Sequence, residues 1–168
     1  RRALRYQGKG CLTAVENVQE YISRAFEGRD PSRMTLREID GTLLALERTL
    51  AVRRGKLPAD ADHDRCVAVM QRKQNLGMNA VLSVSLSLAR AVASVSGMEL
   101  YELLREEMLG LMDRLAADCG IEIAGSGLPD YVGALRLCAA VLDERGTPLY
   151  QALRRISGIY DPESPSRG

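Results

Sequence analysis

The chain has no tryptophan and one phenylalanine, and aromatic residues make up only 4 % of its 168 positions. A core of stacked rings is excluded; the abundant Ala, Leu and Val must fill the interior, which favours closely packed helices. Neither sign of charge dominates, since 23 Lys and Arg stand against 22 Asp and Glu for a formal net charge of +1. Global attraction to nucleic acid or to an anionic membrane is excluded, and a charged partner must be met by a local patch. Four cysteines are present, Cys11, Cys66, Cys119 and Cys138, with no C-x-x-C spacing. That spacing indicates neither a zinc knuckle nor a redox pair, and reduced thiols in a cytosolic compartment are expected. No apolar run reaches the ~20 residues that span a bilayer, and the opening RRALRYQGKG lacks a signal-peptide core. It also lacks an initiator Met, so a processed form or a piece of something longer is expected. The length suits one compact domain and falls short of that domain plus a barrel of roughly 250 residues.

What remains is helical periodicity, and the fold class it predicts is all-α. Leu12, Val15, Val18, Ile22 and Phe26 recur at three- and four-residue steps and form one stripe, which Gly28 ends. Asp30-Pro31-Ser32 has helix-start chemistry, and Leu36, Ile39, Leu43, Leu46 and Leu50 give a second amphipathic helix ending near Arg53-Arg54-Gly55. Periodicity weakens over 56–75, which reads as an inserted mobile loop with room for a helical turn or more. From Met78 to Val95 nearly every residue is small or aliphatic, which predicts a helix at the centre of the domain. Gly97 breaks it, and Leu100, Leu103, Leu104, Met108, Leu111, Met112 and Leu115 mark a longer helix closed by Gly120. After the Gly125-Ser126-Gly127 turn, Tyr131 to Asp143 is again helical. Gly146 interrupts it before a shorter helix bearing Leu149, Leu153 and Ile156. Residues 159–168 are expected to form a flexible tail.

Segment 128–158 reads as a repeat of 79–109. An offset of 49 (146 minus 97) pairs Gly97 with Gly146, and Leu100-Tyr101, Leu104 and Arg105 with Leu149-Tyr150, Leu153 and Arg154. The shared Gly-x-x-Leu-Tyr unit carries most of the weight, because Leu and Ala often coincide between helices.

Two stretches carry a resemblance to a known family. Arg5-Tyr6-Gln7-Gly8-Lys9-Gly10 with Leu12-Thr13-Ala14-Val15-Glu16-Asn17-Val18 resembles R-Y-x-G-K-G-V-x-x-A-V-x-N-V/I of the enolases. Asn75-Leu76-Gly77-Met78-Asn79-Ala80-Val81-Leu82-Ser83-Val84-Ser85-Leu86 is similar to that family's N-L-G-A-N-A-I-L-A-V-S-L, and Leu100-Tyr101 to its P-L-Y. Between them, Ile39-Asp40 through Leu46-Glu47-Arg48-Thr49 matches I-D-x-x-M-x-x-L-D-G-T in length, with Arg48 where Gly is usual. The resemblance implies the helical half of the α+β enolase amino-terminal domain over residues 1–158. Three departures accompany it: the insertion at 56–75, the doubled helix pair, and the lack of the opening strand meander and substrate loop. In the family, the magnesium carboxylates, the catalytic lysine and the paired glutamates lie on the barrel, so no catalytic, cofactor-binding or metal-binding residue is carried over to this chain.

Candidate sites read from the residues alone are weak. His63 beside Asp60, Asp62 and Asp64 has metal-ligand chemistry, but sequential residues without a Gly turn or closing Glu read better as a solvated acidic loop. Gly8-Lys9-Gly10 before a helix could meet a phosphate, yet without P-loop spacing it reads as a structural turn. Ser83, Ser85 and Ser87 read as small packing residues whose hydroxyls return to backbone carbonyls. Cys138 is expected to be a buried small hydrophobe. Arg53-Arg54, Arg72-Lys73 and Arg154-Arg155 are docking charges for an acidic, tubulin-like surface or, more simply, solvated helix ends.

Three functions are therefore expected to compete. The preferred one is a non-catalytic enolase-like structural or protein-interaction module in a larger cytoplasmic assembly. Divergent enolase-like proteins occur in cilia and flagella, so the resemblance implies a ciliary or cytoskeletal setting with microtubule-associated protein partners and neither nucleic acid nor membrane. The alternative is the amino-terminal portion of an enolase, interconverting 2-phosphoglycerate and phosphoenolpyruvate with magnesium, whose barrel lies outside this chain. The third is a helical adaptor whose long helix from Glu99 to Asp118 offers an apolar stripe to a partner.

Overall fold

The computed structural model describes residues 11–125 and 127–157. Among the described residues every regular element is helical and none is a strand. The motif Arg5 to Gly10, including the Gly8-Lys9-Gly10 turn, and the tail 159–168 lie outside them. Packing divides the chain into two compact units, Arg1–Ser96 and Gly97–Gly168.

The first unit opens with α1 (Leu12–Asn17), a π turn (Val18–Ile22) and α2 (Ser23–Phe26) in unbroken succession. The expected stripe is only partly observed here. Ile22 is buried as expected, but Leu12 and Val15 are exposed and Asn17 is buried in their stead. A π turn adds a residue to the helical circuit, so positions before and after it no longer share one face. Gly28 then ends the run at φ +73.

Asp30-Pro31 starts only a 3-10 turn (Pro31–Arg33), capped where the Asp30 carboxylate accepts from Ser32 N at 2.9 Å. Met34 is extended and closes the turn. The helix proper, α3 (Leu36–Arg53), starts instead at Thr35. The Thr35 hydroxyl accepts from Glu38 N, and the Glu38 carboxylate accepts from Thr35 N at 2.9 Å. This reciprocal pairing satisfies two amides that a helix start leaves unbonded. Ile39, Leu43, Leu50 and Ala51 form its buried stripe, joined by Glu47.

The segment expected to be a mobile inserted loop is built into the core. It contains a helix, α4 (His63–Met70), capped by Asp62, whose carboxylate accepts from Arg65 N at 2.8 Å. Leu57, Cys66, Met70 and Asn75 are all buried. Spaced over a turn, a helix and a loop, these four share no single period, which is why the pattern looked irregular.

The last helix of this unit, α5 (Met78–Val95), packs on α3, α1 and the 3-10 turn. It does not sit at the centre, as its composition predicted. Only Ala80, Ala89, Val92 and Ala93 are buried, while Asn79, Ser83, Ser87, Arg90 and Ser94 form an exposed face. Small residues on the inner side admit close approach, and the outer side mixes polar residues with the exposed Met78, Leu82 and Val95. By length and composition α5 could cross a membrane, although no run of such length was evident in the sequence. A packed helix passes the same test, and Ser85 donates to the Asp40 carboxylate of α3 at 2.7 Å.

The second unit is a three-helix group of α6 (Leu100–Cys119), α7 (Leu128–Glu144) and α8 (Leu149–Ser157). Its core holds Leu115, Ala116, Cys119, Cys138, Leu142 and Ala152, with Ile121, Leu135, Leu149 and Leu153 packed around them. Gly120 caps α6 in the left-handed conformation.

The two Gly-x-x-Leu-Tyr turns share their geometry. Gly97 and Gly146 have φ of +71 and +64. Ser96 N donates to Val92 O at 3.1 Å in one, and Arg145 N to Val141 O at 3.2 Å in the other. Beyond each turn, Leu103 N donates to Glu99 O and Ala152 N to Pro148 O. A side chain at φ near +70 is strained, so glycine is the residue that both turns require.

Candidate functional site

Three segments singled out in the sequence converge on one buried polar junction: the end of α1 with Asn17, the middle of α3 with Glu47, and the loop before α5 with Asn75-Leu76-Gly77. Glu47 and Asn75 are essentially inaccessible and Asn17 nearly so. The Glu47 carboxylate accepts three hydrogen bonds, from Asn75 N at 3.0 Å, Asn75 Nδ2 at 2.9 Å and Leu76 N at 2.7 Å. Asn17 Nδ2 donates to the carbonyls of Asn75 and Leu76 at 3.0 and 2.9 Å. Arg54 adds a bond from Nη1 to Asn75 O at 2.6 Å and a longer one from Nη2 to Asn17 Oδ1 at 3.4 Å. The loop thus receives from two helices the bonds that no strand or helix of its own supplies, as buried backbone groups require.

The geometry of the loop explains its residues. Gly77 caps α5 at φ +98, and a Cβ there would lie 3.5 Å from Ala14 Cβ of α1. Conformation, more than space, calls for glycine. Lys73 has φ +47 and donates from Nζ to Met70 O at 2.7 Å. Burial pushes its pKa below the usual lysine range, and the Glu47 carboxylate pulls the other way. Asn75 Oδ1 is buried and has no hydrogen-bond partner. The amide orientation is nonetheless fixed, because its nitrogen faces a carboxylate that can only accept. The junction binds its own chain, and almost every polar atom in it is already engaged.

The other candidates are distributed elsewhere. Asp62 is engaged as the α4 cap and His63 is that helix's first residue. Among the described residues, no group of three or more His, Cys, Asp or Glu is arranged to hold a metal ion. The serine series behaves unevenly. Ser87 donates back to Ser83 O at 2.7 Å as expected, whereas Ser85 reaches across to Asp40 instead of its own backbone. Of the basic pairs, Arg54 serves the junction loop, Lys73 donates to Met70 O at the end of α4, and Arg155 pairs with Asp118 at 2.7 Å. Arg53 and Arg72 are exposed. Cys138 is fully buried, as expected. Its neighbour was not expected: the Cys119 thiol donates to the Cys138 carbonyl at 3.9 Å. A separation of nineteen positions along the chain hides this meeting from any spacing rule.

On α6 the apolar face is covered at one end only. Leu115 and Cys119 are buried, whereas Tyr101, Leu104 and Met108 on the same stripe are exposed, with Tyr101 at 69 %. Tyr150, paired with Tyr101 by the repeat, is equally open at 66 %. No family model matches the chain, and no solved structure matches it.

Proposed function

We propose that this chain is a non-catalytic, enolase-like module with a structural or protein-interaction role in a larger assembly. The observation that carries the reading is the buried junction. Asn17, Glu47 and Asn75 each occupy a position of one of the three enolase-like segments, and they spend their hydrogen bonds on one another and on the loop backbone. Residues of this kind specify packing, so the resemblance concerns architecture more than chemistry. Elaboration supports the same view: segment 56–75 contributes a helix and buried side chains, and a further helix pair follows in the second unit. The exposed stripe Tyr101, Leu104 and Met108 offers a protein partner an apolar surface. A ciliary or cytoskeletal setting belongs to this proposal, with microtubules as the first partner to try.

The decisive assay is dehydration of 2-phosphoglycerate by the purified chain in excess magnesium, followed by absorbance of the enol product. No turnover above the uncatalysed rate is expected, and enzyme-dependent turnover would remove the proposal. Cosedimentation with assembled microtubules tests the setting, where recovery of the chain only in the supernatant counts against it. The second reading is an amino-terminal portion of an enolase, favoured by the close match of the 75–86 segment. Sequencing the transcript beyond residue 168 separates the two: a following barrel with three metal carboxylates and a lysine pair would establish the enzyme.

A further inference from the structure

The second unit contains a pair of thiols for which the proposed scaffold role has no use. Cys119 is the last residue of α6 and Cys138 lies in the middle of α7, and both are buried in one cluster with Leu115, Ala116, Leu142 and Ala152. The Cys119 thiol donates to the Cys138 carbonyl at 3.9 Å, and neither sulfur is in a disulfide. We propose that Cys119 and Cys138 are a latent redox pair that closes, when the chain meets a small-molecule disulfide, into an intramolecular disulfide fastening the end of α6 to α7.

The surroundings set the order of events. Cys119 borders the left-handed Gly120 cap and the irregular segment 121–125, so fraying of one helix end uncovers it. Cys138 is held in a helix interior, and burial followed by its hydrogen bond with Cys119 pushes its thiol up to about 11. A thiol so raised is a poor first nucleophile. With glutathione disulfide as oxidant, Cys119 loses its proton and its sulfur attacks one glutathione sulfur. The glutathione S–S bond breaks and one glutathione thiolate leaves. Cys138 then loses its proton and attacks the Cys119 sulfur, displacing the second glutathione thiolate. Two protein thiols are oxidised, and one glutathione disulfide is reduced to two glutathiones that take up the two protons. Cys66 belongs to the other unit, where its thiol meets Ala61 O at 3.6 Å, and Cys11 is exposed. Neither is a partner for this bond, although Cys11 is open to form its own mixed disulfide.

The test uses the full reduced chain, incubated with glutathione disulfide, blocked with an alkylating agent and digested with trypsin. Cleavage after Arg114, Arg136 and Arg145 places the two thiols on separate peptides, 115–136 and 137–145. The expected product is these peptides joined by one disulfide, with a rise in Tm of about 5 °C that a reductant reverses. Alkylation of both Cys119 and Cys138, or a crosslink of either to another cysteine, would overturn the proposal. A crosslink that leaves Tm unmoved would also overturn it, since the two helices would then not be fastened. Oxidised Cys119→Ser should show no rise in Tm, and a rise equal to that of the unsubstituted chain would locate the effect elsewhere. None of these readouts involves 2-phosphoglycerate or a partner, so failure here leaves the scaffold reading standing.

Discussion

Replacing Glu47 by Gln keeps the volume of the side chain but puts an NH2 group where an oxygen now accepts from backbone amides. One of the three donors on Asn75 and Leu76 then loses its acceptor in a site with no water access. Glu47→Gln is expected to cost about 2–4 kcal/mol, read as a lower urea midpoint at unchanged slope. A change below about 0.5 kcal/mol would mean the loop finds its bonds elsewhere. Cys138 gives a residue-scale pH dependence. Its thiol is raised from 9.0 to about 11, so the unfolded chain ionises first and is stabilised as pH rises between those values. Folding stability should fall across that window. Lys73, with its pKa lowered, acts in the opposite sense on the approach to 10.5, and Tyr131, raised chiefly by burial, adds a loss above 10.0. Comparison with Cys138→Ala isolates the thiol: the variant should show a visibly flatter alkaline decline in Tm, and an equally steep one would assign the decline to other groups. In the sequence Cys138 was legible as a buried residue because its neighbours are Ala and Leu. Glu47 was legible only as a motif position, because a charged residue on an apolar stripe declares nothing about its acceptors.

At the scale of elements, starts and stops decide most of what the periodicity left open. Thr35-x-x-Glu38 is a capping box that can be read directly from the sequence, yet Asp30-Pro31-Ser32 looked like the helix start because proline suits a first turn. The competition is settled by Met34, whose extended backbone separates the 3-10 turn from α3. Thr35→Ala removes the hydroxyl that accepts from Glu38 N and should cost about 1 kcal/mol, measured by thermal unfolding near neutral pH. No change in Tm would mean that Glu38 and water cap the helix between them. The Glu38 carboxylate is held below the usual range, first by the Thr35 backbone amide and then by its hydroxyl. Its stabilisation is therefore complete above 4.5 and is lost as pH falls through the lower folded-state value. The amide survives in Thr35→Ala, so the variant should keep part of this acid-side loss. The π turn between α1 and α2 is the element that sequence reading missed. Its extra residue rotates Asn17 inward, and no propensity of Val18 to Ile22 announces it.

For the whole molecule the consequential fact is that the two units have separate cores. Leu142 is buried among α6, α7 and α8 residues, whereas Leu43 and Leu50 are buried in the first unit. Leu142→Ala should cost about 2–5 kcal/mol, and hydrogen exchange should accelerate through α6, α7 and α8. Protection in α3 should be unchanged, and parallel loss there would mean the two units unfold as one. The boundary at Ser96 and Gly97 coincides with the first Gly-x-x-Leu-Tyr turn, so the helix pair read as a repeat joins α5 of one unit to α6 of the other.

The all-helical class and most of the longer helices were settled by the sequence alone, α4 excepted. Three- and four-residue spacing marks which residues can share a face, and glycine at Gly28, Gly97, Gly120 and Gly146 marks where a left-handed turn is cheap; these are local properties that each segment carries by itself. The meeting of Asn17, Glu47 and Asn75, the burial of the 56–75 segment and the contact of Cys119 with Cys138 were decided only by tertiary structure. Each joins residues from separate elements, and their proximity depends on the rotation of one helix against another. A half turn of helix sends the same side chain to solvent or to the core, and no periodicity within a single segment records which of the two its neighbours impose.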